Sequence, residues 1–386
     1  MGLRVLVSAG EASGDLYAAA VVSAFAKRHA DAQFFGCAGP RMRNAGVHPV
    51  IRSESLSVVG LAEVVGHLPR IYRQFRRLVR AAAEQRPDVA ILTDSPDFHL
   101  RVAAKLKSLG IPVVYLVAPQ AWAWRPGRVR AIRQTVERLL CIFPFEETFF
   151  LSHGIATTYI GHPLASLLRP STTKRQFLEQ HSIAPAGPLI AVLPGSRPGE
   201  ASRHLKPLAE AAAILRARFP CTIVAGAPHG FSRLIDEGTF WERFRAASIK
   251  VIEGSTWDLL AHADLALAAS GTVTIEAAFL GVPMVTFYRV SPVSWAIGRR
   301  MVRVPFLSMV NLVAGRAIVP ELMQGDMTSQ RIADEATKLL ANAEAREQMR
   351  TRLAEVRAAL TPTNDPVETA CAIIESVIEK ETVDVS

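Results

Sequence analysis

Residues 10–15 read Gly-Glu-Ala-Ser-Gly-Asp and follow the apolar run Val5–Val7, while residues 270–276 read Ser-Gly-Thr-Val-Thr-Ile-Glu and follow Leu265–Ala268. Each is a glycine-containing loop where a short strand should pass into a helix. A third such signal, Leu189–Arg197, ends in Leu-Pro-Gly-Ser-Arg. Parallel sheets place ligands at the carboxyl ends of their strands, where helix N-termini offer free N–H groups to anions. The sequence therefore predicts an α/β protein with two parallel sheets facing one ligand cleft.

The composition supports a folded protein with an anionic partner. The 386 residues are 49% hydrophobic and 20% charged, enough for large cores and too apolar for global disorder. A chain of this length exceeds one core, so we expect two domains. The 44 basic and 35 acidic residues give a formal charge of +9, which suits nucleic acid, anionic lipid or nucleotide. The four cysteines lack metal-ligand spacing, and no secretory signal or spanning segment is recognisable, so we expect a cytoplasmic protein.

Short apolar runs alternate with helical patterns in both halves of the chain, which is typical of helix-covered parallel sheets. The expected strands are Val5–Val7, Phe34–Gly36, Val89–Thr93, Val113–Val117 and Leu139–Phe143, then Ile190–Leu193, Thr222–Ala225, Val251–Ile252, Leu265–Ala268 and Met284–Phe287. We place the domains at residues 1–168 and 185–360, with a linker near 165–188. A last helix over residues 365–386 has apolar residues at helical spacing and needs a surface to cover.

The loops of the second half suit a nucleotide. Ser270 or Thr272 can cap the following helix, and Gly271 lets a pyrophosphate approach the backbone. Glu276 either accepts hydrogen bonds from the ribose hydroxyls of a nucleotide or places favourable negative charge near the helix N-terminus. Arg197 is a fixed cation at the end of a predicted strand, which favours the nucleotide interpretation.

The loops of the first half suit sugar hydroxyls and a general base. The first loop does not match G-x-G-x-x-G and could be an ordinary turn, but Glu11 and Asp15 are acidic groups expected at the cleft. The strand Val89–Thr93 runs into Asp94-Ser95-Pro96-Asp97. The start of a helix explains the residues that follow: Ser95 can be the N-cap, Pro96 fits the first helical position and Asp97 complements the helix dipole. It gives no structural role to Asp94. Asp94 is therefore either a general base or another loop carboxylate.

We expect neither a metal nor another cofactor. The aspartates at 94 and 97 form D-x-x-D rather than D-x-D, and no His/Cys/Asp cluster offers a metal site. An arginine and a helix terminus would then have to stabilise a leaving diphosphate. His162 has the features of a structural turn residue. Trp122 and Trp124 lie near several arginines, but one short cluster is weak evidence for nucleic-acid binding, which we do not expect.

The segment 57–80 combines an apolar stripe with arginines at positions 70, 73, 76, 77 and 80. Pro69 is expected to split it. One interpretation is a helix that packs on the sheet with a solvated basic face. The other is a membrane surface, with Leu68, Ile71 and Phe75 inserted among anionic headgroups.

Several blocks in chain order resemble the lipid-A-disaccharide synthase family. They are Gly10–Asp15, Ala38–Met42, Asp94–Phe98, Ala121–Arg125, Leu193–Arg197, Ser270–Thr272, Asn311–Arg316 and Val319–Leu322. Two positions depart from the family pattern: Met309-Val310 replace the usual Leu-Pro before Asn311, and Pro198-Gly199 follow the Gly-Ser-Arg motif.

The resemblance implies a GT-B glycosyltransferase with two Rossmann-like domains, a nucleotide-sugar cleft and a final helix crossing back to the N-terminal domain. It implies inverting transfer of 2,3-diacylglucosamine from its UDP derivative to 2,3-diacylglucosamine 1-phosphate, giving a β-1,6 disaccharide and UDP. The first domain would hold the acceptor at the inner face of the inner membrane of a Gram-negative-type bacterium. The resemblance leaves a homodimer open.

The resemblance also assigns roles to individual residues. Asp94 matches the proposed general base, and Glu11 is the second expected catalytic residue and the next candidate for the base. The positions expected to bind the donor are Gly195, Ser196, Arg197, Ser270, Gly271, Thr272, Glu276, Asn311 and Arg316.

Two other functions share some of these features. A UDP-sugar epimerase has the same fold and a UDP cleft, but it needs no acceptor and no lipid surface. A non-catalytic peripheral membrane protein could bind a nucleotide without turning it over. Release of UDP only in the presence of acceptor separates both from a transferase.

Overall fold

The computed structural model describes residues 2–55, 64–124, 127–301 and 304–384. The chain divides into two compact units. Unit 1 takes in Met1–Leu167, Met301–Arg303 and Leu360–Ser386, and unit 2 takes in Leu168–Arg300 and Val304–Ala359.

Unit 1 is built on a seven-stranded parallel sheet in the order β3-β2-β1-β4-β5-β6-β7. Its strands are β1 Arg4–Ala9, β2 Gln33–Ala38, β3 His48–Arg52, β4 Val89–Thr93, β5 Val113–Leu116, β6 Arg138–Cys141 and β7 Thr157–Tyr159. Its helices are α1 Ala12–Arg28, α2 Pro40–Asn44, α3 Val64–Gln85, α4 Pro96–Ser108, α5 Ala121–Trp124, α6 Gly127–Thr135, α7 Pro144–Ser152 and α8 Leu164–Leu167. The central strand β4 is buried along its whole length because helices cover both faces of the sheet.

Unit 2 is built on a six-stranded parallel sheet in the order β10-β9-β8-β11-β12-β13. Its strands are β8 Leu189–Leu193, β9 Thr222–Ala227, β10 Lys250–Glu253, β11 Leu265–Ala269, β12 Met284–Tyr288 and β13 Glu321–Met323. Its helices begin with α9 Lys174–Gln180, α10 Pro198–Arg218, α11 Glu237–Phe240, α12 Glu242–Ala246 and α13 Thr256–His262. They continue with α14 Thr272–Phe279, α15 Pro292–Met301, α16 Met309–Ala314, α17 Ser329–Ala341 and α18 Ala343–Leu360.

The predicted fold class is confirmed, and all ten predicted strands are present. The three missed strands lie at sheet edges. β3 starts with His48-Pro49 and is largely accessible, while β7 and β13 have only three residues each. Runs this short show no period in the sequence, and an edge strand needs no continuous apolar stretch.

The final helix, α19 (Pro366–Asp384), packs on α1 of unit 1, as predicted. Ala370 and Ile374 are fully buried in that contact. At its margin, Arg28 and His29 both bind the carboxylate of Glu375, at 2.9 Å and 3.0 Å. An apolar stripe flanked by ion pairs therefore fixes the end of the chain to unit 1.

The prediction that Pro69 splits its segment is wrong. α3 continues from Val64 to Gln85 with Pro69 inside it. A proline in the second turn removes one hydrogen bond near the helix start, and the following turns are unaffected. Residues 57–63 of the predicted segment lie outside the described residues.

Candidate functional site

The predicted loops lie at the topological switch point of each sheet. In unit 1, β1 and β4 are neighbours whose chains continue to opposite sides, and in unit 2 β8 and β11 have the same relation. Parallel α/β sheets bind ligands beside the carboxyl ends of such strands. Residues 10–15 follow β1, Asp94 follows β4, residues 194–197 follow β8 and residues 270–272 follow β11.

The glycine loop of unit 1 holds a carboxylate of its own chain. The backbone N–H of Gly10 donates to Asp94 Oδ1 at 2.8 Å, and that of Glu11 donates to Oδ2 at 3.0 Å. A Cβ on Gly14 would lie 1.8 Å from Asp94 Oδ2. Gly14 therefore has to lack a side chain, because the Asp94 carboxylate occupies that space.

The environment of Asp94 favours its neutral form. Burial, followed by the negative charge of nearby Glu11, raises the pKa of Asp94 well above its usual value, against the hydrogen bonds from the loop. The side chain remains 12% exposed, while Glu11 is exposed. A partly accessible carboxylate with a raised pKa is a stronger base once ionised, as general-base catalysis requires.

The other acidic groups of unit 1 have structural partners. Asp15 is 3% exposed and accepts from the backbone N–H groups of Arg41 and Met42 at the start of α2. The expectation that Asp15 is accessible to a ligand is therefore wrong. Asp97 pairs with the buried guanidinium of Arg128 at 2.8 Å. Ser95 occupies the N-cap position of α4, but its side chain makes no capping bond and binds Asp94 instead.

His162 and Trp122 were also singled out in unit 1, and both pack into its interior. His162 is 1% exposed, and its Nδ1 accepts from the backbone N–H of Leu164 at 3.2 Å, which agrees with a turn residue. Trp122 donates to the buried carboxyl of Glu146 at 3.0 Å. Burial raises the pKa of Glu146 to about 8.

In unit 2, the loop after β8 carries Gly195, Ser196 and Arg197. Gly195 has φ +127°, and Ser196 and Arg197 are exposed, with Arg197 at the N-cap of α10. Buried His204 supports this loop from α10. Its Nδ1 binds the Pro194 carbonyl at 2.7 Å, and its Nε2 accepts from the Arg289 N–H at 3.0 Å. His204 thus joins the ends of β8 and β12.

The loop after β11 is open where the first loop is filled. Apart from Gly271 itself and its two chain neighbours, no heavy atom in the described part of the chain lies within 4 Å of a Cβ placed on Gly271. Ser270 does not cap α14 as expected, because its hydroxyl donates to the Leu307 carbonyl at 2.9 Å and Gly271 is the cap residue. Thr272 is exposed in the first turn of α14, and half-buried Glu276 lies one turn later.

Asn311 lies inside the loop network of unit 2. Its amide donates to Val319 O at 3.0 Å and to Glu321 Oε1 at 2.8 Å, and its oxygen accepts from the N–H groups of Ile318 and Val319. Glu321 also accepts from the N–H groups at 307 and 308. All the hydrogen-bonding positions of the Asn311 amide are therefore used within unit 2. Arg316, by contrast, is exposed and pairs with Glu355 at 2.7 Å.

α3 presents both apolar and basic groups at its surface. Leu68 is 50% and Tyr72 is 59% exposed, whereas Ile71 is half-buried. Phe75 packs edge-on against Phe98 and belongs partly to the core. The arginines at 70, 73, 76, 77 and 80 are all exposed.

Two absences apply to the described residues. Within residues 2–55, 64–124, 127–301 and 304–384, His, Cys, Asp and Glu form no group of three that could hold a metal ion. In the same part of the chain, no helix has both the length and the apolar character to cross a bilayer.

Sequence reasoning missed four residues that support the loops. They are His99, Tyr115, His204 and Glu321. Their bonds to Asp94, Pro194 and Asn311 join positions 5 to 21 residues apart, and each of the four residues lies in an ordinary strand or helix pattern. Only Glu321 carried a signal, since it belongs to a block that resembles the family.

Comparison with known proteins identifies the family. The family model described as lipid-A-disaccharide synthetase matches residues 5–372. The chain belongs to the lipid-A-disaccharide synthase family. The enzyme of that name from Solibacter usitatus is 54% identical over 383 residues, which cover 99% of this chain and 100% of that protein. The Myxococcus xanthus enzyme is 42% identical, over 96% of this chain and 97% of that protein.

Solved structures share the fold of this family member. A UDP-GlcNAc 2-epimerase from Neisseria meningitidis, bound to UDP-GlcNAc, superposes with a TM-score of 0.64 at 14% identity, covering 98% of this chain and 100% of that one. The calicheamicin glycosyltransferase CalG4 gives a TM-score of 0.60 at 16% identity and covers 98% of both chains. Epimerases and glycosyltransferases therefore have the same architecture, and sequence similarity separates this chain from the epimerases.

Proposed function

We propose that this protein transfers 2,3-diacylglucosamine from its UDP derivative to the 6-hydroxyl of 2,3-diacylglucosamine 1-phosphate. The products are the β-1,6 disaccharide 1-phosphate and UDP. The observation that carries the proposal is the family match, which extends over residues 5–372 and includes every block around the two switch points. The epimerase alternative is not favoured, because the epimerases resemble the chain in fold alone.

Asp94 is the base in this proposal. Its carboxylate takes the proton of the acceptor 6-hydroxyl, and the oxygen attacks the anomeric carbon of the donor. The bond between that carbon and the diphosphate oxygen breaks, and UDP leaves with the electron pair. Two properties of Asp94 support this role: its side chain is 12% exposed, and burial raises its pKa.

Unit 2 binds the donor. The diphosphate is placed at the N-terminus of α14, where Gly271 leaves the backbone open, with Arg197 as the cation. Glu276 is assigned to the ribose hydroxyls. The role of Asn311 is to hold the loop around residues 307–321, because its amide is fully occupied by neighbouring groups.

The assay combines the purified protein with both lipid substrates and separates the products by thin-layer chromatography. We expect a disaccharide, and we expect UDP release to depend on the acceptor. UDP release or donor conversion without the acceptor would indicate an epimerase or a hydrolase. Binding of donor with no product in the presence of both substrates would indicate a non-catalytic protein.

We also propose that α3 binds the anionic membrane surface that holds the substrates. Exposed Leu68 and Tyr72 supply apolar contact, and the arginine face supplies electrostatic attraction. Phe75 is a poor test position because it packs against Phe98.

The membrane proposal is tested by sedimentation with anionic vesicles. Leu68→Ser with Tyr72→Ser should reduce the bound fraction while the thermal unfolding temperature is unchanged. Leu151→Ser is the matched control, since Leu151 is 52% exposed elsewhere in unit 1. Equal binding of the double variant and the wild type would show that α3 does not contact the membrane.

A further inference from the structure

We propose that Tyr115 and His99 are positioning residues that fix the backbone of Asp94 and thereby aim its carboxylate. The inference rests on the proposed function, since it concerns the group assigned as the base. The proposal starts from an unusual backbone at the end of β4.

Asp94 and Ser95 are consecutive non-glycine residues in the left-handed region, with φ of +52° and +37°. Residues with a side chain rarely adopt this conformation, because Cβ approaches the backbone carbonyl. Such residues persist only where the surrounding structure holds them, and they concentrate at functional sites. The local sequence offers no glycine here, so the restraint has to come from other elements.

Two buried side chains supply that restraint through one atom, the main-chain carbonyl oxygen of Asp94. The Tyr115 hydroxyl on β5 donates to it at 2.5 Å, and His99 Nδ1 on α4 lies 3.0 Å from it. Tyr115 and His99 are both 0% exposed. Two directional bonds to one carbonyl oxygen fix the orientation of the peptide plane that follows Asp94.

The hydrogen-bond pattern defines the state of the His99 ring. Nδ1 faces a carbonyl oxygen, which only accepts, so Nδ1 carries the proton. Nε2 then accepts from the Ser8 hydroxyl of β1, at 2.7 Å. Burial lowers the pKa of His99 to about 4, which agrees with a neutral ring. The neighbouring strands β1 and β5 and the helix α4 thus converge on one peptide group.

This arrangement determines where the carboxylate points. With the Asp94 backbone in the left-handed region, its side chain reaches the N–H groups of Gly10 and Glu11 and the space left by Gly14. An extended backbone would turn the side chain away from that loop, since φ sets the direction of Cβ. Tyr115 and His99 do not need to touch a substrate to affect the rate.

Tyr115→Phe is the first test, because it removes only the hydroxyl and keeps the buried ring. We expect kcat to fall roughly 10-fold or more with KM for both substrates nearly unchanged, as for a displaced catalytic group. Tyr159→Phe, in the same sheet, is the matched control and should keep wild-type kcat.

The double variant Asp94→Asn/Tyr115→Phe distinguishes positioning from general support of the fold. If Tyr115 acts through Asp94, the double variant should be as slow as Asp94→Asn and no slower. Wild-type kcat for Tyr115→Phe would overturn the inference alone. The same conclusion would follow if Tyr115→Phe lowered kcat by the same factor in the Asp94→Asn enzyme as in the wild type. Wild-type turnover by Asp94→Asn itself would overturn the base assignment, and the inference with it.

A second pair of variants decides the matter if Tyr115→Phe does not fold. His99→Asn places an amide N–H close to the position of Nδ1, whereas His99→Gln places it near Nε2. Asn should therefore restore kcat relative to Gln, although both lose the aromatic ring. Equal kcat for the two variants would contradict the positioning role.

Discussion

Gly14→Ala tests whether the position of the Asp94 carboxylate controls the reaction. Gly14 lies in the first turn of α1, where alanine is the better helix former by about 1 kcal/mol. Helix propensity alone therefore predicts a variant at least as stable as the wild type. The contact with Asp94 instead predicts that the variant loses activity.

The structure sets the size of the displacement. The new Cβ would stand 1.8 Å from Asp94 Oδ2, and real Cβ contacts are not shorter than 3.0 Å. The carboxylate or the helix has to retreat by more than 1 Å. A misplacement of about 1 Å in a catalytic group can lower the rate by roughly 10²-fold. We therefore expect kcat to fall by about that factor while donor affinity stays near the wild-type value.

The assay is disaccharide formation at saturating substrates, with donor binding measured separately by calorimetry. Gly127→Ala is the control, since outside its chain neighbours and the backbone of its own helix no heavy atom of the described residues lies within 4 Å of a Cβ at that position. It should leave kcat unchanged. Wild-type kcat for Gly14→Ala, in a protein of normal stability, would refute the claim that this carboxylate has to lie against the loop.

Three further predictions concern the base and the loop of unit 2. Asp94→Asn should lower kcat by about 10²-fold or more and preserve donor binding, whereas Asp97→Asn, three residues later, should leave both kcat and donor binding unchanged. The rate should rise with pH as Asp94 loses its proton. Glu11→Gln removes the neighbouring charge that raises the Asp94 pKa, so it should move this rise to lower pH. His99 and Tyr115 also face Asp94, and both are neutral in the wild type and in the variant. Asn311→Ala leaves buried N–H groups without an acceptor and should cost about 3 kcal/mol or more of unfolding free energy, measured in urea, against about 1 kcal/mol for the exposed helix cap Asn342→Ala.

The sequence predicted the architecture because buried parallel strands have a local signature. The predicted strand Val89–Thr93 has the same bounds in the structure, because a bounded run of five apolar or β-branched residues is too short for a typical helix and has the length of a buried strand. The supporting side chains have no such signature. Tyr115 is one apolar-compatible residue of β5, and its bond to Asp94 joins positions 21 residues apart, which only the order of strands in the sheet determines.

The prediction about the first glycine loop illustrates the same limit. A glycine after a strand indicates that something approaches the backbone closely, but it does not say what. At Gly14 the approaching group is the carboxylate of Asp94, a residue 80 positions later, and not a substrate anion. The identity of the occupant depends on β4 lying beside β1, which no local pattern encodes.

The two switch points therefore differ in a way that explains the proposed division of the chemistry. In unit 1, the N–H groups of Gly10 and Glu11 are bound to Asp94, so these two donors are not available to a phosphate. It can position a base instead. In unit 2, the backbone beside Gly271 is open, whereas Asp94 fills the corresponding space at Gly14. The helices after both loops begin without a side-chain cap. Free space in front of a helix N-terminus suits the leaving diphosphate, so in our proposal one duplicated architecture supplies the base in one unit and the anion site in the other.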